Sequence, residues 1–250
     1  MTALSLGLPG ITSHETIARL APLLEDSGFH ALWLNDTAQG DALAGLGVAA
    51  RVTSTLHLGA GVIALDRRSA ADIAARLGDL PVDRLTVGLG AGAPAKALAR
   101  VRAGVLELRQ STTAEIVVGG LGPRMRALAA EVADGVLLNW VTPAAAADAS
   151  RELHSSAARA RAILYVRTAV DVAAEPALRA EAAKYDAIPS YAANLERIGA
   201  TAIQTTIGPD TLASGIAEYT AAVDELVLRA ITADDSLATL EHFVRRVLDR

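Results

Sequence analysis

Short runs of β-branched and aliphatic residues alternate with longer amphipathic segments rich in Ala, Leu and Arg from one end of the chain to the other, and few folds satisfy that pattern. Two parallel strands must be joined by a crossover of a dozen or more residues, and a helix with one apolar face supplies it. The spacing predicts strands at Leu4–Leu8, Ala31–Leu34, Leu56–Ile63, Leu85–Leu89, Ile116–Val118, Gly135–Asn139, Ile163–Val170 and Leu226–Arg229. Helices are expected at His14–Ser27, Asp41–Val52, Ser69–Leu77, Ala95–Gln110, Pro123–Ala133, Ala144–Ala157, Asp210–Ala222 and Leu237–Leu248. Start signals precede most of them: Thr12 or Ser13, Asp41, Ser69 with Asp72, Thr142 followed by Pro143, and Pro209-Asp210. Eight strands in 250 residues give roughly 31 residues per unit, the repeat at which a (β/α)8 TIM barrel closes. No Pro/Gly/Ser-rich linker divides the chain, so residues 1–250 read as a single α/β domain.

An open doubly wound sheet is the competing architecture. It calls for a glycine-rich fingerprint directly after the first strand, and Gly7-Leu8-Pro9-Gly10-Ile11-Thr12 does not supply one. Composition excludes other classes. With 52% hydrophobic and 20% charged residues the chain folds around a large core, and every apolar run is interrupted well before the roughly 18 residues of a membrane span. There is no cysteine, hence no disulfide, thiolate metal site or cysteine nucleophile. The start MTALSLGLPG has no basic region and no cleavage site of a signal peptide, which makes a cytoplasmic location the expectation. A net charge of −5 argues against nucleic acid as a partner.

A barrel places functional groups at the C-terminal ends of its strands. Of the five histidines only His14, in the loop after the first strand, falls on that face, as a candidate catalytic group or as a solvated residue at a helix start. His30 and His57 lie at strand starts. Asp36, closing the second strand, is a candidate catalytic group that faces a ligand at the mouth and exchanges a proton with substrate, or else caps the loop through Thr37. In Gly119-Gly120-Leu121-Gly122 the missing side chains let backbone N–H groups converge, and a helix beginning at Pro123 aims its positive end at the same point. The arrangement reads as a phosphate nest, with a plain barrel turn as the alternative; Arg124 and Asn139 are candidate donors to the same phosphate.

Four stretches, in order, resemble the bacterial luciferase-like family of flavin and deazaflavin enzymes: Gly28-Phe29-His30-Ala31-Leu32-Trp33-Leu34-Asn35-Asp36, Leu58-Gly59-Ala60-Gly61-Val62-Ile63, Asp83-Arg84-Leu85-Thr86-Val87-Gly88-Leu89-Gly90-Ala91-Gly92, and Val117-Val118-Gly119-Gly120-Leu121-Gly122-Pro123-Arg124. The resemblance implies an oxidoreductase, with coenzyme F420 or, alternatively, FMN bound at the barrel mouth by Asp36, Gly61, Val62, Gly90, Gly120, Leu121, Gly122, Arg124 and Asn139. It also implies a non-proline cis peptide at or beside Gly61-Val62, a small organic substrate and a homodimer packed through outer helices.

The chain departs from the deazaflavin branch in two ways. Where relatives have a histidine after the acid and a glutamate after the fourth-strand Gly-x-Gly, it has Thr37 and Ala93, neither of which transfers a proton near neutral pH. It also has no long insertion over the mouth, and Pro176–Gly199, with Lys184, Tyr185, Tyr191 and Arg197, is the candidate for a partial cover. A short apolar run, Ala202–Ile207, reads as an extra strand-like element. Three functional readings stand: a luciferase-like reductase or FMN-dependent monooxygenase, a flavin- or deazaflavin-binding protein without catalysis, and a barrel enzyme acting on a phosphorylated metabolite.

Overall fold

The computed structural model describes residues 2–93 and 95–250. Among them, eight parallel strands close on themselves in sequence order: β1 (Ala3–Pro9), β2 (Ala31–Asn35), β3 (His57–Ala64), β4 (Leu85–Gly90), β5 (Glu115–Gly119), β6 (Gly135–Asn139), β7 (Arg161–Thr168) and β8 (Glu225–Ala230), with β8 paired to β1. The (β/α)8 barrel read from the alternation is the architecture. Ten α-helices follow in the same order: α1 (His14–Asp26), α2 (Ala42–Val52), α3 (Ala70–Leu77), α4 (Ala97–Leu108), α5 (Pro123–Val132), α6 (Pro143–Ser156), α7 (Glu175–Asp186), α8 (Pro189–Ile198), α9 (Leu212–Thr220) and α10 (Leu237–Leu248). No helix among the described residues is long and apolar enough to cross a membrane.

The helix starts are the ones the caps specify. Ser13 accepts from the Thr16 N–H, Asp41 from Ala44 and Thr142 from Ala145, while Ser69 and Asp72 close a reciprocal capping box. Two segments differ from the sequence expectation. Ala202–Ile207 is a 3-10 turn over Ala202–Thr205 followed by one parallel bridge, Ile207 to Thr168, because its Thr201/Gln204 cap favours a helical turn over an extended strand. Asp210–Ala222 opens with a 3-10 turn at Pro209–Thr211 before α9 begins at Leu212.

Side-chain alternation along each strand separates two cores. Leu6, Leu8, Leu32, Leu34, Leu58 and Ile63 point outward, into the layer between sheet and helices. The interior core is formed by Ala31, Trp33, Val117, Leu137, Ile163, Tyr165 and Val227, with Val62 against it. The aliphatic richness of the chain is therefore concentrated in the outer layer. Inside, the large side chain is Trp33, which lies against Gly59 and Gly61; a Cβ at Gly59 would fall 2.1 Å from the indole Cδ2.

The interior narrows at the N-terminal end into a closed polar plug. Glu225 is 1% exposed and accepts from Ser5 Oγ at 2.6 Å and from the Trp33 indole N–H at 2.7 Å, while Arg161 bridges Glu225 to Glu115. His30 and His57 stack nearby on the strand-start side, ring centroids 4.5 Å apart, and burial together with the charge on His30 lowers the pKa of His57. This end is satisfied internally. The other end opens.

Candidate functional site

At the C-terminal mouth a cavity of about 1390 Å³ is lined by the ends of the strands and by α7 and α8. One wall runs over Gly61 and Val62, Gly90, Gly119 to Gly122 and Leu138. The register between β3 and β4 shifts between Ala60 and Ile63, and the peptide Gly61-Val62 is cis, as the sequence resemblance implies. Val62 is turned toward β4 and β5, where a Cβ on Gly90 would come within 2.6 Å of Val62 Cγ2 and one on Gly119 within 3.1 Å of Cγ1. Glycine at those positions makes room for Val62, and the wall is smooth as a result.

The floor is polar and cationic. Arg167 and Arg229 are register partners on β7 and β8. Arg167 is 4% exposed; its Nε donates to Glu181 Oε1 at 2.9 Å, its Nη1 to Asn139 Oδ1, and its guanidinium stacks 4.3 Å from the Trp140 ring centroid and 5.0 Å from that of Tyr185. Trp140 reaches this position through a left-handed backbone, φ 54°, directly after β6. Arg229 donates Nε to Asn35 Oδ1 at 3.2 Å and Nη1 to the Ala230 carbonyl. Asn35 in turn donates to the Gly61 carbonyl at 2.6 Å, so Arg229 fixes the amide that holds the Gly61 step. Burial lowers the pKa of Arg229, and neighbouring Arg167 acts in the same direction while Glu181 opposes it. Beneath them the Tyr165 hydroxyl is buried with no hydrogen-bond partner, and burial raises its pKa.

Asp36 borders the cavity, but its carboxylate is fully buried and tied to Arg67 at 3.0 Å and Arg68 at 3.5 Å, and it accepts from the Ala42 N–H at 3.3 Å. It thus anchors the loop into α2 through Ala42, with Thr37 exposed beside it. The turn after β5 has Gly120 N–H donating to the Leu137 carbonyl and the Gly122 carbonyl receiving the first N–H bonds of α5. The N–H groups of Leu121 and Gly122 have no acceptor among the described residues, and the space beside Gly122 is open. Asn139 lines the cavity as the acceptor of Arg167.

Two sequence candidates stand apart from this assembly. His14 is exposed at the first residue of α1, outside the cavity lining, because the loop from β1 is pinned elsewhere: Gly10 packs so closely on the Asn35 carbonyl and on Gly40 that a Cβ would lie 2.1 Å from the oxygen. Arg124, second residue of α5, is likewise exposed and turned away; Arg126 is the arginine of that helix that folds back, onto the Leu121 carbonyl. The segment Pro176–Gly199 forms α7 and α8, whose Glu181, Lys184, Tyr185 and Tyr191 line one side of the cavity, whereas Arg197 bonds Asn194.

Comparison with known proteins finds a partial sequence match and a shared fold. The sequence pattern of luciferase-like monooxygenases matches residues 5–117, which run from β1 into β5 and include Gly61, Val62 and Gly90 of the glycine wall. The whole barrel superposes on solved structures at low identity: a coenzyme F420-dependent tetrahydromethanopterin reductase from Methanopyrus kandleri (18% identity, 99% of each chain, TM-score 0.71) and an F420-dependent secondary alcohol dehydrogenase in complex with an F420-acetone adduct (14%, 98% of this chain and 99% of that one, 0.75). A third is the oxygenating constituent of 3,6-diketocamphane monooxygenase from Pseudomonas putida with FMN (14%, 98% and 96%, 0.68). A sequence search of curated proteins finds no match.

The residues missed by sequence reasoning share one signal. Arg161, Ile163, Tyr165 and Arg167 have the same strand parity, as do Glu225, Val227 and Arg229, and Ala31, Trp33 and Asn35. A charged residue set in an apolar strand, in phase with inward positions, marks the floor of a barrel site.

Proposed function

We propose that this protein is a luciferase-like oxidoreductase that binds coenzyme F420 or FMN at the C-terminal mouth of its barrel and acts on a small organic substrate. The observation that carries the reading is the cavity itself: about 1390 Å³ bounded by one glycine-rich wall, of which Gly61, Val62 and Gly90 fall in the family-matched segment. Its volume takes a flat tricyclic ring with a phosphorylated tail, since ligand pockets run to about 1000 Å³ for drug-sized molecules. The residues fit such a group on two counts. Gly90 and Gly119 are positions where a Cβ would displace Val62 from the wall, and the free N–H groups of Leu121 and Gly122 at the start of α5 suit a phosphate.

Such a cofactor supplies the hydride or the oxygen chemistry. The chain's own part is to bind, orient and exclude water. The wall at Gly61 and Val62 sets the plane on which a ring rests, held by the Asn35 amide and, behind it, Arg229. Tyr185 and Tyr191 from α7 and α8 close one side against solvent. With Thr37 and Ala93 at the places of the family's acid–base pair, and Asp36 engaged by two arginines, the proton chemistry of alcohol oxidation has no dedicated group there. The reading therefore favours reduction of an activated alkene or imine, or oxygen insertion. Coenzyme F420 is preferred, on the likeness of the fourth-strand and Gly120-Leu121-Gly122-Pro123 patterns to that branch.

Titration of purified protein with FMN and with F420, followed by absorbance and fluorescence quenching, tests this. Binding of either one, abolished by Gly122→Val, is expected. Failure of both to bind overturns the proposal. Binding without turnover, given an electron donor and a panel of enones, would make this a binding protein instead.

A further inference from the structure

The cavity is charged in a sense opposite to the chain. The protein carries a net −5, whereas the charged side chains lining the cavity are Arg67, Arg167, Lys184 and Arg229 against Asp36 and Glu181. Arg67 is already spent on Asp36. At the floor, two guanidiniums stand on directly paired positions of adjacent strands; among the described residues Glu181 bonds Arg167 alone, and Asp235 acts on Arg229 through space without an ion pair. Arg229 has no carboxylate partner; it rests on an amide oxygen and a backbone carbonyl. Two like charges side by side with one directly bonded carboxylate is a costly arrangement unless a further anion joins them.

The direction in which that anion would lie is marked by a second, independent group. The Tyr165 hydroxyl is buried on the residue opposite Val227 in the same pair of strands, lines the same cavity and has no partner, although a buried hydroxyl ordinarily finds one. Tyr165 is 3% exposed. A guanidinium presents a planar fork of donors that matches a carboxylate, and a phenol completes the set with one more. The turn at Gly120 to Gly122 stands three strands away around the ring from β8, so this anion site and the phosphate turn are separate features of the same cavity.

We infer that Arg229, Arg167 and the Tyr165 hydroxyl form a subsite for the carboxylate of a small organic acid, which makes the substrate an anion anchored at the barrel floor. The inference deepens the proposed function by naming the substrate class, and it rests on that reading only for the reaction, not for the binding. The Arg167 guanidinium lies over the adjoining Trp140 and Tyr185 rings and is held by Glu181 at Nε and Asn139 at Nη1, which leaves Nη2 for the anion. Selectivity follows from charge: the corresponding neutral amide leaves the second guanidinium uncompensated.

Isothermal titration of the whole protein, without cofactor, with acetate, crotonate, hexanoate and benzoate, and with crotonamide as the neutral control, tests this. At least one carboxylate is expected to bind and crotonamide is not. Arg229→Gln is expected to weaken that carboxylate about tenfold or more, and Tyr165→Phe, which removes only the hydroxyl, several-fold. Tyr165→Phe keeps the test alive if loss of Arg229 prevents folding. Affinity for FMN and F420 should survive in Tyr165→Phe and fail in Gly122→Val, while carboxylate affinity does the reverse. If no carboxylate binds, if crotonamide binds as well, or if Tyr165→Phe and Arg229→Gln bind the carboxylate as the parent does, the subsite is refuted. If FMN or F420 affinity falls with Arg229→Gln and Tyr165→Phe while no carboxylate binds, the floor serves the cofactor's own anionic groups and the inference is likewise overturned. Carboxylate binding with no binding of either cofactor would sink the proposed function and leave the subsite standing.

Discussion

Gly59→Ala isolates the packing on which the whole mouth is built. Gly59 sits on β3 opposite Trp33 on β2, and its backbone is one an alanine adopts without a dihedral penalty, so the substitution adds a methyl and nothing else. That methyl would lie 2.1 Å from Trp33 Cδ2 and 2.4 Å from Cε2 and Cε3, where carbon atoms normally approach to about 3.5 Å or more. Relief requires the indole to move by more than ~1 Å, and each way out is blocked. Its N–H is bonded to Glu225 at 2.7 Å, it meets the Tyr165 ring in a T-shaped contact with centroids 5.9 Å apart and an interplanar angle of 88°, and the Cβ position of Gly61 lies 3.1 Å from its Cε3. Overpacking of a fixed interior costs about 1–3 kcal/mol, and the anchored indole puts Gly59→Ala near the top of that range. At about 2–4 °C per kcal/mol for a chain of this size, the melting temperature should fall by roughly 6–12 °C. Urea denaturation followed by tryptophan fluorescence measures it, and Gly122→Ala, whose methyl meets open space, should stay within about 0.5 kcal/mol of the parent. In a Trp33→Leu background the cost of Gly59→Ala should shrink by at least about 1 kcal/mol, because the clash partner is gone. A Gly59→Ala protein within about 0.5 kcal/mol of the parent, or strict additivity with Trp33→Leu, refutes the claim that a locked indole fills the barrel.

The remaining expectations concern the mouth and the pH response. Asp36→Ala leaves Arg67 and Arg68 without their buried carboxylate and the Ala42 N–H without its acceptor, and should destabilise the fold by about 3 kcal/mol; a denaturation midpoint unchanged from the parent would show that the ion pairs contribute nothing. Gly120→Ala places a methyl 2.6 Å from Val136 Cγ2 and should distort the turn, lowering phosphate-dependent cofactor affinity about tenfold in a fluorescence titration, with equal affinity as the disproof. Glu25 accepts N–H bonds from Ser54, Thr55 and Leu56, chiefly Thr55, which hold its pKa at about 2 against an ordinary 4.5. A carboxylate whose folded pKa is depressed contributes stability that is complete above its unfolded pKa and lost as pH falls through the folded one. Stability should therefore drop between about pH 4.5 and 2 more steeply in the parent than in Glu25→Gln, and parallel urea midpoints across that window would count against it.

Much of this was legible before any coordinates. All eight strands lie within two residues of where alternation put them, and the caps at Ser13, Asp41, Ser69 and Thr142 are those that start the helices. Local chemistry sufficed there, because a cap or a period-2 run acts over a few residues. Asp36 shows where that stops: its place at a strand end was readable, but Arg67 and Arg68, brought up by the β3 to α3 connection, decide what its carboxylate touches. His14 shows the same, since the close packing of Gly10 on Gly40 fixes the path of the loop that carries it.

By itself, then, the sequence determined the barrel, its strand order and the glycine turns at its mouth, since periodicity and backbone freedom are properties of short stretches. Only the tertiary structure decided which side of each strand faces inward, and with it the cationic floor. Arg167, Arg229, Asn35 and Tyr165 come from three strands spread over 195 residues of chain, and their meaning depends on charges and donors that face one another across the closed barrel. Neutralisation, orphaned hydroxyls and buried like charges are relations between distant residues, and closure of the sheet is what creates them.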